Sequence, residues 1–165
     1  MSILLFSRPI RTGKTTELTD WCRQQKDIAG VLMPDTEGNR KIYNLATKEI
    51  FELECSDPGN AEEELISVGR FSFYAGVFSK VNRILVDSLK DNPRWIVIDE
   101  VGKLELNKSG FYDAVSTIVN AYQNKTITSN ILLVVRESLL NEVIEFFTIA
   151  DPLLVHDLRD PSLNC

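Results

Sequence analysis

The sequence predicts an α/β fold of three layers, in which helices cover both faces of a mostly parallel sheet. Continuous apolar runs, typical of strands buried on both faces, alternate along the 165-residue chain with segments of helical periodicity. The first apolar run leads through a short turn into a helix, the order that parallel sheets use. An ordinary balance of 44% hydrophobic and 25% charged residues predicts one domain over 1–165.

The first strand is predicted over 2–6 and the first helix over about 14–26. The connection between them reads Ser-Arg-Pro-Ile-Arg-Thr-Gly-Lys-Thr-Thr and ends in the Gly-Lys-Thr of a phosphate-binding loop. In such a loop, backbone N–H groups at the positive end of a helix face the phosphates. Lys14 is expected to reach the β- and γ-phosphates, and the Thr15 hydroxyl to ligate Mg²⁺.

One position departs from the full motif, which has a glycine five residues before Gly13, where this chain has Arg8. A left-handed backbone at Arg8 would cost roughly 1–3 kcal/mol of strain, whereas an ordinary φ would cost nothing. Arg8 and Arg11 could bring positive charge to the phosphates. The simpler expectation is that both side chains point to solvent.

After the first helix, short runs of alternating polarity predict an antiparallel hairpin inserted at about 29–55 beside the parallel sheet. The segment 57–68 contains Pro-Gly and three consecutive glutamates, and it is predicted to be a mobile acidic connection. Residues 71–74 are expected to be extended. Apolar residues at helical spacing then predict a helix over about 75–90.

A buried strand is predicted next, because four bulky apolar residues at 95–98 close on Asp99 and Glu100. Ligands collect at the carboxyl ends of strands in an open α/β sheet. Asp99 is expected to hold Mg²⁺ through water, and Glu100 to orient and deprotonate an attacking water. The alternative is a core strand followed by two solvated acids.

The rest of the chain continues the alternation. A helix is predicted after Phe111, a buried strand over 131–135, a helix after Leu139 and a last strand over 153–155. Arg136 directly follows a buried strand and is expected to approach the phosphates, where it could stabilise charge on the γ-phosphate oxygens. A surface ion pair is the alternative role for this arginine.

Downstream of the two acids the chain continues as Ile-Asp-Glu-Val-Gly-Lys-Leu-Glu-Leu over 98–106. This stretch resembles the signature of the thermophile-type (cancer-related) nucleoside-triphosphatase family, which usually has Asp-Glu-Ile-Gly-Lys-Met-Glu-Leu. Gly38 before Arg40 and the Gly-Arg-Phe at 69–71 are similar to further family segments. The resemblance covers most of 1–160. It implies a P-loop NTPase three-layer αβα sandwich, hydrolysing nucleoside triphosphates such as ATP or GTP with Mg²⁺ and broad base tolerance.

The resemblance also implies roles for single residues. Lys103 becomes a candidate phosphate contact, Glu105 a structural residue that holds the turn after the strand, and Arg159 a candidate contact to the base. Three sets follow. The catalytic set is Glu100, Lys14 and Arg136, and the metal set is Thr15 and Asp99. The nucleotide-binding set is Arg8, Pro9, Ile10, Arg11, Thr12, Gly13, Lys14, Thr15, Thr16, Lys103 and Arg159.

Two other functions stay open at this point. Arg8 favours a nucleotide-binding sensor or interaction module that does not hydrolyse, whereas the intact Lys14, Thr15, Asp99 and Glu100 oppose it. A small-molecule or nucleotide kinase would need an acceptor pocket, which the inserted hairpin could form. Kinases commonly also carry an arginine-rich lid, and no segment with clustered arginines is evident.

Composition narrows the partners and the location. The formal net charge of −6, without a dense basic cluster, makes nucleic acid an unlikely partner. No apolar run approaches the roughly 20 residues that span a bilayer, and the N-terminus lacks the pattern of a signal peptide. Three cysteines without metal-ligand spacing fit a reducing cytoplasm. A protein partner stays open, and the single histidine, His156, is expected to be packed or on the surface.

Overall fold

A computed structural model describes residues 1–9, 13–160 and 163, and it confirms the predicted α/β architecture. The strands are β1 (Ile3–Phe6), β2 (Ile28–Leu32), β3 (Asp35–Thr36), β4 (Asn39–Asn44), β5 (Ile50–Glu52), β6 (Leu65–Val68), β7 (Phe71–Tyr74), β8 (Trp95–Val101), β9 (Asn130–Val135) and β10 (Leu153–Val155). The helices are α1 (Lys14–Gln24), α2 (Ala75–Ser88), α3 (Lys103–Leu106), α4 (Tyr112–Gln123) and α5 (Leu140–Phe146), with 3₁₀ turns at Pro58–Asn60 and Glu137–Leu139.

The main sheet has the order β10-β1-β9-β8-β2-β4-β3, with β5 also paired to β4. The five strands from β10 to β2 run parallel. Strand β4 lies antiparallel to β2, and both β3 and β5 lie antiparallel to β4. The inserted hairpin therefore continues the main sheet past β2, and the sheet is mostly parallel with an antiparallel edge, as predicted.

The acidic segment differs from its prediction in its second half. Residues 65–68 form β6, which pairs with β7 in a separate two-stranded sheet. The turn between these strands uses Gly69 in the left-handed region, at φ 61°. Three glutamates precede β6 and give this stretch the polar pattern of a loop. The prediction of a mobile connection was therefore wrong over these residues. The small sheet is joined to the inserted hairpin by hydrogen bonds such as Tyr74 N–H to the Leu53 carbonyl, 2.9 Å.

Helices cover both faces of the main sheet, and β8 contributes side chains to each face in turn. Ile96 and Ile98 pack in the larger core under α2, α4 and α5. Trp95 and Val97 pack in the smaller core under α1. Because successive strand residues point to opposite faces, Asp99 comes out on the face of α1. A register shift between Ile98 and Val101 then interrupts the alternation, and Glu100 lines a cavity together with Phe78 and Phe111 of the larger core.

A close approach of two backbones brings β2 against β8. Gly30 has φ 121°, and a Cβ at this position would lie 2.0 Å from the Val97 carbonyl oxygen. Only glycine combines that conformation with that contact. The approach seats the residue after β2, Met33, beside the carboxyl end of β8.

Candidate functional site

The described part of the phosphate loop follows β1 and ends at Gly13, which has the left-handed φ of 76° and begins α1. Lys14 folds back over this loop. Its Nζ donates hydrogen bonds to the carbonyl oxygens of Arg8, at 2.7 Å, and Pro9, at 3.0 Å. Burial lowers the pKa of the Lys14 ammonium, and the nearby Glu100 carboxylate opposes that shift. The predicted binding residues Ile10, Arg11 and Thr12 lie outside the described residues.

Arg8 does not point to solvent, so that expectation was wrong for this arginine. Its guanidinium pairs with Glu17 at 2.6 Å and lies 5.1 Å from the centroid of the Phe6 ring. Its φ is outside the left-handed region, so replacing the motif's glycine brings no strain of that kind. Glu17 also accepts the Leu158 N–H at 2.7 Å. The pair thus links the loop, α1 and the segment after β10.

Asp99 lies at the end of β8 and is only 4% exposed. Its Oδ2 accepts the Met33 N–H at 2.9 Å. Burial raises the pKa of the Asp99 carboxyl to about 6, with the Met33 hydrogen bond acting against that shift. A cation bound beside Asp99 would therefore offset the cost of burying its negative charge.

Glu100 has a left-handed backbone, with φ 66°, and β8 shifts register against β9 between Ile98 and Val101. Non-glycine residues take this conformation infrequently, and they do so most often at turns and functional sites. The Glu100 carboxylate is held by two arginines. Arg136 donates from both Nε, at 2.8 Å, and a terminal nitrogen, and Arg40 lies 3.7 Å away. The ion pair foreseen for Arg136 is therefore formed with Glu100.

The catalytic candidates lie together at the carboxyl edge of the sheet. The charges of Glu100, Arg136 and Asp99 all act on the Lys14 ammonium, as does that of Arg8. The metal candidate Thr15 is half-buried in the first turn of α1, and Thr16 beside it is exposed.

Two cavities flank this cluster. The first, of about 550 Å³, is called here the α1 groove and is lined by Gly13, Thr16, Glu17, Asp20, Trp21, Gln24, Leu158 and Arg159. The second, of about 280 Å³, is called the Glu100 cavity, and Lys103, Arg136 and Glu100 lie in its wall. Lys103 and Arg159 are thus separated from each other, one in each cavity. Arg159 is exposed and pairs with Asp157 at 3.0 Å.

Glu105 holds the turn after β8, as the resemblance implied. It is 2% exposed, and its two carboxylate oxygens accept the N–H groups of Gly102, at 2.8 Å, and Phe111, at 2.9 Å. Burial raises the pKa of the Glu105 carboxyl to about 7, against the effect of these hydrogen bonds. Gly110 leaves the room for this arrangement, since a Cβ there would lie 2.4 Å from Oε1 of Glu105.

Two contacts of the site were missed by sequence reasoning. Arg40 was noted as part of the hairpin, but its position beside Glu100 depends on how β4 packs, and nothing local signals it. The Met33 N–H that binds Asp99 is a backbone group and leaves no side-chain pattern. His156 is exposed, and its Nδ1 lies 2.7 Å from the Ser7 carbonyl oxygen, which agrees with a surface role.

None of the helices within 1–9, 13–160 and 163 has the length and apolar character needed to cross a membrane. The cytoplasmic location stays a prediction.

Comparison with known proteins yields one family and two related structures. A family model described as NTPase matches residues 4–150. THEP1 from the hyperthermophile Aquifex aeolicus has a similar structure, with a TM-score of 0.69 and 18% identity over 98% of this chain and 92% of that chain. A human cancer-related nucleoside triphosphatase matches with a TM-score of 0.64 and 18% identity over 99% of this chain and 93% of that chain. No curated protein matches by sequence. At this identity the two structures establish a shared fold.

Proposed function

The chain belongs to the NTPase family whose model matches it, and from that membership we propose that it hydrolyses nucleoside 5′-triphosphates to diphosphates and phosphate with the help of Mg²⁺. The observation that carries the proposal is the grouping of Lys14, Asp99 and Glu100. Lys14, which follows a left-handed glycine at the start of α1, lies close to the two carboxylates near the end of the buried strand β8. This combination is the minimum that phosphoryl transfer to water requires.

The residues present fit a magnesium ion. Asp99 is a buried carboxylate whose pKa is raised because burial leaves its charge poorly compensated. Together with the hydroxyl of Thr15 it offers oxygen ligands, which Mg²⁺ prefers, and Mg²⁺ usually takes only one or two carboxylates beside water and phosphate. When bound, the ion would neutralise charge that develops between the β- and γ-phosphates. Asp99 and Thr15 are the residues proposed to hold it.

The chain's own residues supply the other functions. The Lys14 ammonium, now bonded to two loop carbonyls, would turn to the β- and γ-phosphate oxygens, which offer full negative charge in place of neutral acceptors. Glu100 would orient the attacking water and accept its proton. The Arg136 guanidinium, 38% exposed and bonded to Glu100, is proposed to move towards the γ-phosphate as charge spreads over its oxygens.

We assign the nucleoside to the α1 groove. Gly13 and Thr16 form the end of this groove nearest the loop, and Arg159 lies in its wall. Its openness to solvent supports broad base tolerance. Arg159 would lie against the base by its planar guanidinium, a contact that tolerates any base.

Phosphate release from ATP and GTP with Mg²⁺ tests the proposal. Glu100→Gln keeps the size of the side chain but removes the base, so turnover should fall by at least about a hundredfold while nucleotide binding persists. Lys14→Ala should abolish most triphosphate binding, because it deletes the charge that meets the phosphate oxygens. Glu137→Gln is the matched control, since Glu137 is exposed and lies just beyond Arg136.

Equal turnover in the Glu100→Gln and Glu137→Gln variants would remove Glu100 from the mechanism. Unchanged triphosphate binding in Lys14→Ala would overturn the assignment of the phosphate loop. Tight binding without turnover in the unaltered protein would instead favour a nucleotide-binding module that does not hydrolyse, the alternative that Arg8 suggested from the sequence.

A further inference from the structure

The Glu100 cavity is larger than hydrolysis requires. An attacking water occupies about 30 Å³ in the liquid, whereas the cavity beside Glu100 has about 280 Å³. This size is just below the range for small-molecule sites, roughly 300–1,000 Å³. The cavity lies on the face of the sheet opposite α1, so it is separate from the groove that we assign to the nucleoside.

Positive charge dominates the wall of this cavity. It has four cationic side chains, which are Arg40, Arg70, Lys103 and Arg136. Two carboxyls, Glu100 and Glu105, face them, and the second has a pKa near 7. Within the described part of the chain, Arg70 and Lys103 have no carboxylate partner within ion-pair distance. The cavity therefore favours a ligand that carries negative charge.

The rest of the wall is apolar and aromatic. Two guanidiniums approach the ring of Phe71, with Arg40 at 4.6 Å and Arg70 at 4.9 Å from its centroid. Phe78 and Phe111 line the same space and pack edge to face against each other at 5.1 Å. Aromatic walls with a few placed charges are typical of sites for small organic molecules. A hydrated inorganic ion would gain nothing from them.

We propose that the Glu100 cavity is a second-substrate site, which binds a small organic anion with a flat apolar body and presents a hydroxyl of that molecule to Glu100. The carboxylate or other anionic group would lie between Arg40 and Arg70, and the body against Phe71. This proposal rests on the proposed function, because it uses Glu100 as the base and the triphosphate as the phosphoryl donor.

The transfer step balances without any further reactant. The hydroxyl oxygen attacks the γ-phosphorus and forms the new O–P bond, while the bond from the γ-phosphorus to the β,γ-bridging oxygen breaks. The hydroxyl proton passes to Glu100, and the nucleoside diphosphate leaves with the bonding electron pair. Hydrolysis is the same step with water in place of the hydroxyl, so a filled cavity would divert the reaction from water.

Binding is tested first, without nucleotide, so that its outcome does not depend on hydrolysis. Benzoate and benzamide have the same shape and differ in charge. In ¹H–¹⁵N spectra of the full chain, benzoate should shift the amide signals of Gly69, Phe71 and Gly102, with a Kd on the order of millimolar. Benzamide should bind at least about tenfold more weakly. Equal binding of the two, or benzoate shifts confined to the phosphate loop, would overturn the proposal.

Two variants locate the anion. Arg40→Met keeps an apolar side chain of similar length and removes the guanidinium, and Arg70→Met does the same at an exposed position where folding is not at risk. Each should weaken benzoate binding about tenfold. Arg23→Met is the matched control, since Arg23 is 74% exposed on α1 and away from the cavity, and it should change nothing. Unchanged binding in both cavity variants contradicts the proposal.

Transfer is tested with 3-(hydroxymethyl)benzoate, which adds a primary alcohol to the same anion. With ATP and Mg²⁺, a phosphate ester should appear in ³¹P spectra, and release of inorganic phosphate should fall as the ester accumulates. Bound probe without ester, in protein that still hydrolyses ATP, would refute the acceptor role. If the unaltered protein binds benzoate but does not hydrolyse ATP, the result would instead count against the proposed function.

Discussion

In the phosphate-loop region, residues 7–9 and 13–17, the chain is held by a pair of opposite charges, whereas the carboxylate region, residues 99–111, is held by a buried acid bonded to backbone amides. Glu17 meets the guanidinium of Arg8 and the Leu158 N–H, and its side chain is 13% exposed. Glu105 meets only N–H groups and is 2% exposed. Each glutamate positions one half of the proposed active site.

The two regions show that a loop can be held in place either by an ion pair or by hydrogen bonds from backbone amides to a buried acid. The Arg8–Glu17 pair lets a loop without its first glycine keep an ordinary backbone, because side chains supply the restraint. Such a pair is weakened by salt and water. Glu105 lies where water does not compete, so its hydrogen bonds are strong, but the cost of burying its charge makes the region sensitive to pH.

The largest expected effect comes from deleting the buried acid. Glu105→Ala leaves the N–H groups of Gly102 and Phe111 without acceptors in the core, at roughly 1–3 kcal/mol each. The free energy of unfolding in urea should therefore fall by about 2–6 kcal/mol. Glu142→Ala, on the exposed side of α5, should change it by less than about 0.5 kcal/mol. Similar losses in the two variants would show that Glu105 does not hold the turn.

The pH dependence of stability sharpens the contrast. The pKa of Glu105 rises from 4.5 to about 7 on folding, so the folded protein holds a proton there that the unfolded chain has lost. Stability conferred by that proton is present below pH 4.5 and disappears by about pH 7, a fall of about 3 kcal/mol from this group. Glu105→Gln should remove the pH dependence of the free energy of unfolding in this window. It should also lower that free energy at every pH, because one of the two backbone N–H groups would then face the N–H₂ group of the glutamine and have no acceptor. An unchanged slope would contradict the assignment.

The charged pair should contribute less. A double-mutant cycle with Arg8→Met and Glu17→Gln is expected to give a coupling of about 1–2 kcal/mol in unfolding experiments, since both side chains are largely buried. The same cycle with Arg23 and Asp20, which are 74% and 61% exposed, should give less than about 0.5 kcal/mol. Equal couplings would mean that the loop is not held by this pair.

The smallest effect is expected when the glycine of the full motif is restored. Arg8→Gly removes the contacts to Glu17 and Phe6 and adds backbone freedom in the unfolded chain. Turnover of ATP should fall about three- to tenfold, a change of about 1 kcal/mol in the barrier. A rise in turnover would show that Arg8 impairs the loop, and would reverse the interpretation of this region.

Much of the fold could be predicted because β8 and β9 are continuous apolar runs and the main helices have clear periodicity. The two acids after β8 were expected at the sheet edge for the same reason. Short elements were missed where polar neighbours or a short length obscured their pattern of apolar residues. Strand β6 follows three glutamates, and α3 has only four residues, too few for a period.

The side-chain arrangement was harder to predict because it depends on tertiary packing. The expectation that Arg8 faces solvent failed since its partner Glu17 becomes a neighbour only when α1 has formed against β1. The left-handed backbone of Glu100 could not be predicted from the sequence, because this conformation is normally expected only at glycine. The site assignments themselves stay predictions until the variants are measured.

The sequence has two tryptophans, and both belong to the core under α1. Trp21 and Trp95 meet edge to face, with ring centroids 4.9 Å apart, and Trp21 also lines the α1 groove. Intrinsic fluorescence should therefore respond when a nucleoside fills that groove. The described wall of the Glu100 cavity contains no tryptophan, so an anion bound there should leave the emission nearly unchanged. The unlabelled protein thus carries an optical means of telling its two ligands apart.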